Sequence, residues 1–238
     1  MTTTAATSDY AASGAAKPVF WYGIPHGYAK LDLDPPRVRI EKLLRELNTL
    51  PVEQRAQASQ VLQFYAGMVT ALNAQNVHMC AVGYHPDDDG SIVTSTLTVS
   101  TVPTSGHNAK LVIAGLAGAA ADAPDTGMRP IELPCGLGYL AEEKKRTVAP
   151  GRDPDSAEGP LRGDVWQGTV AVTGSGAPDI IVVQLVTPAV HLADVYRDIL
   201  LGVARTLTFT DPRKPAPTPD KDKPRAGSVE AAMRNDFG

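Results

Sequence analysis

Histidine and cysteine are the side chains of this sequence best suited to metal binding and nucleophilic chemistry. No two histidines stand at an HxH or HxxxH spacing, and neither cysteine has a CxxC partner, so no such motif pairs two ligands. The pattern therefore predicts no metal and no cofactor. We interpret Cys80 and Cys135 as buried thiols of a cytoplasmic protein, with a disulfide or a reactive thiol as the alternative. The five histidines are His26, His78, His85, His107 and His191.

Three short runs resemble functional loops but lack the residues that the chemistry needs. The segment 87–90 (DDDG) lacks the glycine and glutamate spacing of an EF-hand, and it predicts a turn. The segment 135–138 (CGLG) does not complete the GxGxxG pattern of a phosphate-binding loop, and its glycines are typical of a bent strand. The segment 174–176 (GSG) falls in a predicted hairpin turn, not in the strand-to-helix turn of a serine hydrolase.

An enzyme is the alternative that the other side chains leave open. Cys135 and His107 would form a thiol–imidazole pair if the fold brought them together, giving a small-molecule-binding or hydrolytic enzyme with a pocket near Cys135. Glu142 and Glu143 are adjacent, so on a strand they point to opposite faces and cannot form the paired carboxylates of a glycosidase. Because no complete catalytic motif is present, we expect a protein that is not an enzyme.

The composition limits the partners that the chain can bind. Its 238 residues are 43% hydrophobic, which is enough for one substantial core. The 22 basic and 26 acidic residues give a net charge of −4 without a basic stripe, which argues against nucleic-acid binding. The N-terminus lacks the apolar stretch of a signal peptide, and apolar runs such as 180–183 are far too short to cross a bilayer. We therefore expect no membrane insertion and a cytoplasmic location.

The distribution of small, polar and proline residues predicts three parts. Residues 1–17 are small and polar, which predicts a disordered N-terminal tail because such a segment buries too little surface to offset its ordering entropy. Residues 18–211 carry the strand and helix patterns of a single α/β domain. Residues 212–238 predict a proline-rich linker followed by a C-terminal docking peptide.

Two helices are predicted near the start of the domain. The first follows a Pro-Pro pair and keeps its apolar residues at helical spacing, and the second begins at Pro51. The apolar stripe of the second helix predicts packing on a sheet, with a partner-binding groove as the alternative. The apolar residues of the first helix are Ile40, Leu43, Leu44 and Leu47, and the stripe of the second is Val61, Leu62, Tyr65, Met68, Val69 and Leu72.

Alternating apolar and polar residues predict the strands. Along 91–102, Val93, Leu97 and Val99 share one face, and threonines occupy the other. The last part of the domain predicts a hairpin of two strands, an amphipathic helix and a terminal strand that returns to the sheet. The predicted strands are 28–33, 77–84, 91–102, 129–134, 137–148, 165–173, 179–187 and 206–210, and the further helices are 110–122 and 191–205.

The order of these elements resembles the PsbP-like superfamily over roughly residues 19–210. The resemblance rests on the strand VWQGTVAV from Val165, the strand DIIVVQLVTP from Asp179 and the helix VYRDILLGVARTL from Val195. It implies an α/β (α+β) fold in which an antiparallel β-sheet has helices on both faces. It also implies a protein that binds other proteins without catalysis, since members of the superfamily mostly act in this way.

Two apolar groups predict contacts with a protein partner. An aromatic cluster that includes Phe20 precedes the first strand, and it forms either a partner-binding rim or part of the core. The segment 228–238 carries its apolar residues on one helical face, so it would dock in a groove of the partner while the linker raises its local concentration. The predicted partner-binding residues are Trp21, Tyr22, Tyr28, Val229, Met233 and Phe237.

These features favour a non-catalytic cytoplasmic protein-binding adaptor or secretion-associated chaperone, whose flexible C-terminal tail docks on a protein partner. One alternative is the enzyme described above, and another is a structural subunit of a larger bacterial assembly. A deep pocket with an ionisable group of shifted pKa would favour the enzyme. An exposed apolar patch would favour the adaptor, and a second chain burying more than about 1,000 Å² would favour the subunit.

Overall fold

Seven antiparallel strands form one sheet in the part of the chain that the structure describes. The computed structural model describes residues 20–87, 89–104, 108–109, 112–113, 128–148, 162–174 and 179–213. The strands are β1 (Tyr28–Lys30), β2 (Val77–Pro86), β3 (Ile92–Pro103), β4 (Arg129–Leu133), β5 (Gly136–Val148), β6 (Arg162–Thr173) and β7 (Asp179–Thr187). They follow the order β1-β2-β3-β7-β6-β5-β4, and every neighbouring pair is antiparallel. The prediction of a mixed α/β fold built on an antiparallel sheet is therefore confirmed.

Three long helices lie within the described residues. They are α1 (Arg37–Thr49), α2 (Val52–Ala74) and α3 (Ala193–Arg205), the last preceded by a 3₁₀ turn over Val190–Leu192. Prolines stand immediately before α1 and α2, at helix starts where an N–H would have no helical partner. Asn76, with a φ of 53°, takes the left-handed conformation just after α2 and leads the chain into β2. The predicted helix 110–122 lies largely outside the described residues.

Helix α3 packs across one face of the sheet. Its buried residues Tyr196, Leu200 and Val203 join one cluster with inward-facing side chains of β3, β5, β6 and β7. Gly168 on β6 makes the close approach possible, because a Cβ there would lie 2.4 Å from the ring of Trp166 and 2.7 Å from Leu200. These distances are far below the separation at which carbon atoms pack.

The two faces of β3 differ as the sequence predicts. Leu97 and Val99 are fully buried, whereas Thr94 and Thr96 at the alternate positions are exposed. The alternation of side chains along a strand explains this division. The hairpin of β6 and β7 is likewise confirmed, with Val170 opposite Val183.

The prediction of a terminal strand over 206–210 is wrong. Thr208 forms only an isolated bridge with Trp21, whose chain precedes β1. The Thr208 hydroxyl accepts a hydrogen bond from the Thr210 N–H at 3.1 Å, and this local bond favours a bend over a strand ladder. The first strand is also shorter than predicted, since β1 ends at Lys30.

An ion pair attaches α3 to β5. The Arg197 guanidinium donates to Glu142 at 2.6 Å and to Asp194 at 2.6 Å. The hydrogen bond that Arg197 donates to Glu142 is the main cause that raises the pKa of Arg197. Glu143 pairs instead with Lys145 at 2.8 Å, which fits the prediction that the two adjacent carboxylates point to opposite faces and do not share a site.

Candidate functional site

Helices α1 and α2 form a hairpin that is joined to the sheet at the C-terminal end of α2. There Val69 and Leu72 pack against a small cluster that includes Val77 and Cys80. The Asn73 side chain also donates to the Leu33 carbonyl at 3.0 Å. No residue of α1 and none of α2 before Val69 belongs to this cluster.

Polar contacts fix the shape of the hairpin. The Arg55 guanidinium donates to the carbonyls of Asn48 and Leu50 at 2.8 and 3.1 Å, so it satisfies acceptors left unpaired where α1 ends. At the other end of α1, Arg39 pairs with Asp32 at 2.7 Å. The Tyr65 hydroxyl of α2 donates to the Asp32 carbonyl, so both helices contact the segment before α1. The hairpin is therefore held at the junction of the helices and at the start of α1.

The hairpin leaves much of its apolar surface in water. Both helices lie wholly within the described residues, and neither contains a buried residue. Leu43 is 44% exposed, Val61 is 63% exposed and Phe64 is 60% exposed. Ile40 and Leu44 are also exposed on α1. Single exposed apolar side chains are common on protein surfaces, but a contiguous patch marks an interaction site.

A groove of about 890 Å³ runs between the two helices. Its walls are apolar, with one carboxylate and two carboxamides among them. The lining residues are Leu43, Glu46, Leu47, Leu50, Gln54, Gln57, Ala58, Val61, Leu62 and Tyr65. Ionisable groups do not converge in this groove, so its chemistry suits the binding of an apolar surface.

Charge is distributed unevenly over the hairpin. Helix α1 carries four basic and two acidic residues, whereas residues 56–74 of α2 contain no charged side chain at all. Exposed helical surfaces are normally rich in charge, and the centres of protein interfaces are depleted of it. The exposed part of α2 therefore has the composition of an interface.

The prediction that the apolar stripe of α2 packs on a sheet holds for its last part only. Val69 and Leu72 contact the sheet cluster, but Val61, Leu62 and Tyr65 line the open groove. The interpretation of the stripe as a sheet-packing surface is therefore wrong for its first half. The absence of charge along 56–74 was the sequence signal that could have identified this groove.

The aromatic cluster near the start of the domain lies against the core. Phe20 and Tyr22 are half-buried, and their rings lie 5.8 Å apart. Burial raises the pKa of Tyr22 to about 12. Trp21 is half-buried and forms the backbone bridge with Thr208. These three side chains are half-buried, whereas Val61 and Phe64 of the hairpin are exposed.

Tyr28 belongs to a cluster of polar and aromatic side chains from β1, β2, β3 and α3. Its hydroxyl and that of Ser95 share a hydrogen bond of 2.7 Å, and its ring lies 5.4 Å from the ring of His85. Tyr196 of α3 closes the cluster from the other side, 5.9 Å from His85. Ser95 is only 2% exposed, so a substrate cannot reach its hydroxyl without a rearrangement.

The two thiols are free and far apart in the sheet order. Cys80 lies on β2, and Cys135 lies in the turn between β4 and β5 at the other side of the sheet. Burial raises the pKa of both thiols, which disfavours the thiolate that nucleophilic attack requires. His107 lies outside the described residues, and so do Val229, Met233 and Phe237.

The described part of the chain contains no cluster of His, Cys, Asp or Glu able to hold a metal ion. None of its helices combines the length and hydropathy needed to cross a bilayer. Comparison with known proteins gives no matching family model, no matching curated protein and no matching solved structure.

Proposed function

We propose that this chain is a non-catalytic protein-binding adaptor or secretion-associated chaperone, and that it binds another protein chain through the apolar face of the α1–α2 hairpin. We call this surface the hairpin face, and it consists of the groove residues together with Ile40, Leu44 and Phe64. The observation that carries the proposal is that neither helix of the hairpin contains a buried residue. A helix of 13 residues is marginal in water without tertiary packing, so a partner would stabilise α1.

A second contact is part of the same proposal. The segment 228–238 carries Val229, Met233 and Phe237 at spacings that share one helical face. It would dock in a groove of the partner, and the proline-rich linker would raise its local concentration there. Two weak contacts joined by a linker give a stronger complex than either alone.

The PsbP-like arrangement, with helices on both faces of the sheet, belongs to this proposal. Its support is the alternation along β2: Met79 and Ala81 join the cluster that contains α3, whereas Cys80 contacts α2. Proteins of this arrangement offer surfaces to other proteins, and we propose a cytoplasmic location for the complex.

A tagged pull-down with mass spectrometry tests the proposal. Four chains are compared: the full chain, a chain stopped after Pro212, Val61→Lys and Val38→Lys. Val38 is 72% exposed and lies on the opposite side of α1 from its leucines, so Val38→Lys is a matched control for the added charge. We expect a stoichiometric protein partner with the full chain and with Val38→Lys, weaker capture after truncation, and loss of capture with Val61→Lys.

Each captured protein is then purified and its dissociation constant is measured with the same four chains. Equal affinities for Val61→Lys and Val38→Lys would contradict a role for the hairpin face in binding that protein. Turnover of a small molecule by the purified chain would contradict the non-catalytic function.

A further inference from the structure

We infer that the chain covering the hairpin face is a second copy of this protein, and that two hairpins close into an antiparallel four-helix bundle. The inference rests on the proposed function, because it names the occupant of the same surface. The two copies would be related by a two-fold axis, so that each surface residue of one copy meets the corresponding region of the other.

The width of the hairpin face favours a second hairpin over a single helix. The exposed apolar residues stand on both helices, with Ile40 and Leu44 on α1 and Val61 and Phe64 on α2. Packed helices lie about 8–10 Å apart, so the face is about two helices wide. A single foreign helix would fill the groove but leave its outer margins in water. A second hairpin covers the groove and both margins together.

The size of the hairpin face is sufficient for a dimer. Helix α1 has 13 residues and is therefore about 20 Å long. Two adjacent helices of this length give a flat footprint of roughly 400 Å² on each copy. The accessible surface of ridges and grooves exceeds its footprint, so the pair would bury about the 1,000 Å² that a specific interface needs.

Charge does not oppose the approach of two hairpin faces. The basic residues of α1 lie on the side of Val38, whereas the leucines of α1 lie on the other side of the helix. The facing part of α2 belongs to the stretch 56–74, which carries no charged side chain. Two copies can therefore bring these faces together without burying a basic side chain. The basic residues are Arg37, Arg39, Lys42 and Arg45.

The solution mass of the purified full chain tests the inference. Sedimentation velocity is measured from low to high micromolar concentration for the full chain, Val61→Lys and Val38→Lys. We expect twice the 25.1 kDa chain mass for the full chain and for Val38→Lys. Val61→Lys should raise the dissociation constant at least about 100-fold, because each copy would bury an ammonium group without a partner.

Circular dichroism shows whether the variants are folded. If Val61→Lys fails to fold, Gln57→Lys replaces it, since this exposed groove residue can be changed without removing apolar packing. A monomer at every concentration would overturn the inference. So would a dimer that survives both lysine substitutions in the groove, because its interface would lie elsewhere.

Two further outcomes separate the inference from the proposed function. If the full chain is monomeric and the chain stopped after Pro212 dimerises, the chain's own C-terminal segment occupies the hairpin face. That result would overturn the second-copy inference. A monomer that loses a foreign partner on Val61→Lys would also overturn it while supporting the proposed function. A dimer that captures no other protein would support the inference and contradict the adaptor function.

Discussion

Truncation of Phe64 to alanine separates the stability of one chain from the stability of the pair. Phe64 is 60% exposed in the single chain, so Phe64→Ala removes little packing there. We expect the unfolding free energy of the monomer to change by less than about 0.5 kcal/mol, as for other surface substitutions. Alanine also has the higher helix propensity, which acts in the stabilising direction.

The same substitution has a large expected effect on dimerisation. Full burial of a phenylalanine contributes up to about 3 kcal/mol. A dimer that covers the exposed 60% of Phe64 therefore gains up to about 1.8 kcal/mol on each copy. Loss of this term from both copies amounts to at most about 3.6 kcal/mol, or a dissociation constant raised up to roughly 400-fold.

Sedimentation equilibrium gives the dissociation constants, and urea unfolding of dilute protein gives the monomer stability. Val38→Ala is the control, because Val38 is 72% exposed but lies away from the groove. The reasoning is refuted if Phe64→Ala and Val38→Ala dimerise within about three-fold of each other, a difference worth less than 1 kcal/mol. It is also refuted if Phe64→Ala destabilises the monomer by several kcal/mol, since the side chain would then belong to the core.

Three other predictions concern the domain that supports the hairpin. Gly168→Ala should lower the unfolding free energy by about 1–3 kcal/mol in urea titration, because the added Cβ would collide with Trp166. Gly163→Ala on the same strand is the control: its Cβ would have no atom within 4 Å, so the unfolding free energy should change little. Burial raises the pKa of Tyr22 to about 12, so the neutral phenol stabilises the folded state fully below pH 10 and this stabilisation is lost as the pH rises towards 12. The unfolding free energy of the wild type should therefore fall between pH 9 and pH 11.5 by about 2 kcal/mol more than that of Tyr22→Phe. Arg197→Ala should cost about 1–2 kcal/mol by thermal or urea unfolding, through loss of the 2.6 Å pair that joins α3 to β5, and an unchanged midpoint would show that the pair adds no stability.

Sequence periodicity predicted most of the regular elements of this fold, but not the end of the first strand or the segment 206–210. The strand over 179–187 was predicted with the bounds that β7 has, because its apolar run is bordered by turn residues on both sides. Helices α1 and α2 were predicted because apolar residues recur at helical spacing and prolines stand at their starts. Both signals are local, so they do not depend on the rest of the chain.

Long-range contacts could not be predicted in this way. The Tyr28 hydroxyl meets Ser95, which lies 67 residues further along the chain. The threonines and phenylalanine of 206–210 have high strand propensity. The segment bends instead, because the Thr210 N–H donates to the Thr208 hydroxyl within the segment and not to a neighbouring strand. Periodicity identified the apolar stripe of α2 but could not tell a stripe that covers a sheet from one that leaves a groove open, since both repeat every three to four residues.

Hydrogen exchange along α1 tests most directly whether another chain covers the hairpin face. The amides of 37–49 are measured by mass spectrometry in the wild-type protein and in Val61→Lys at the same micromolar concentration, with β6 and β7 as internal references. We predict slow exchange of 37–49 in the wild type, fast exchange in Val61→Lys, and equal rates for the reference strands. Equally fast exchange of 37–49 in both proteins would show that α1 is uncovered and would contradict this account.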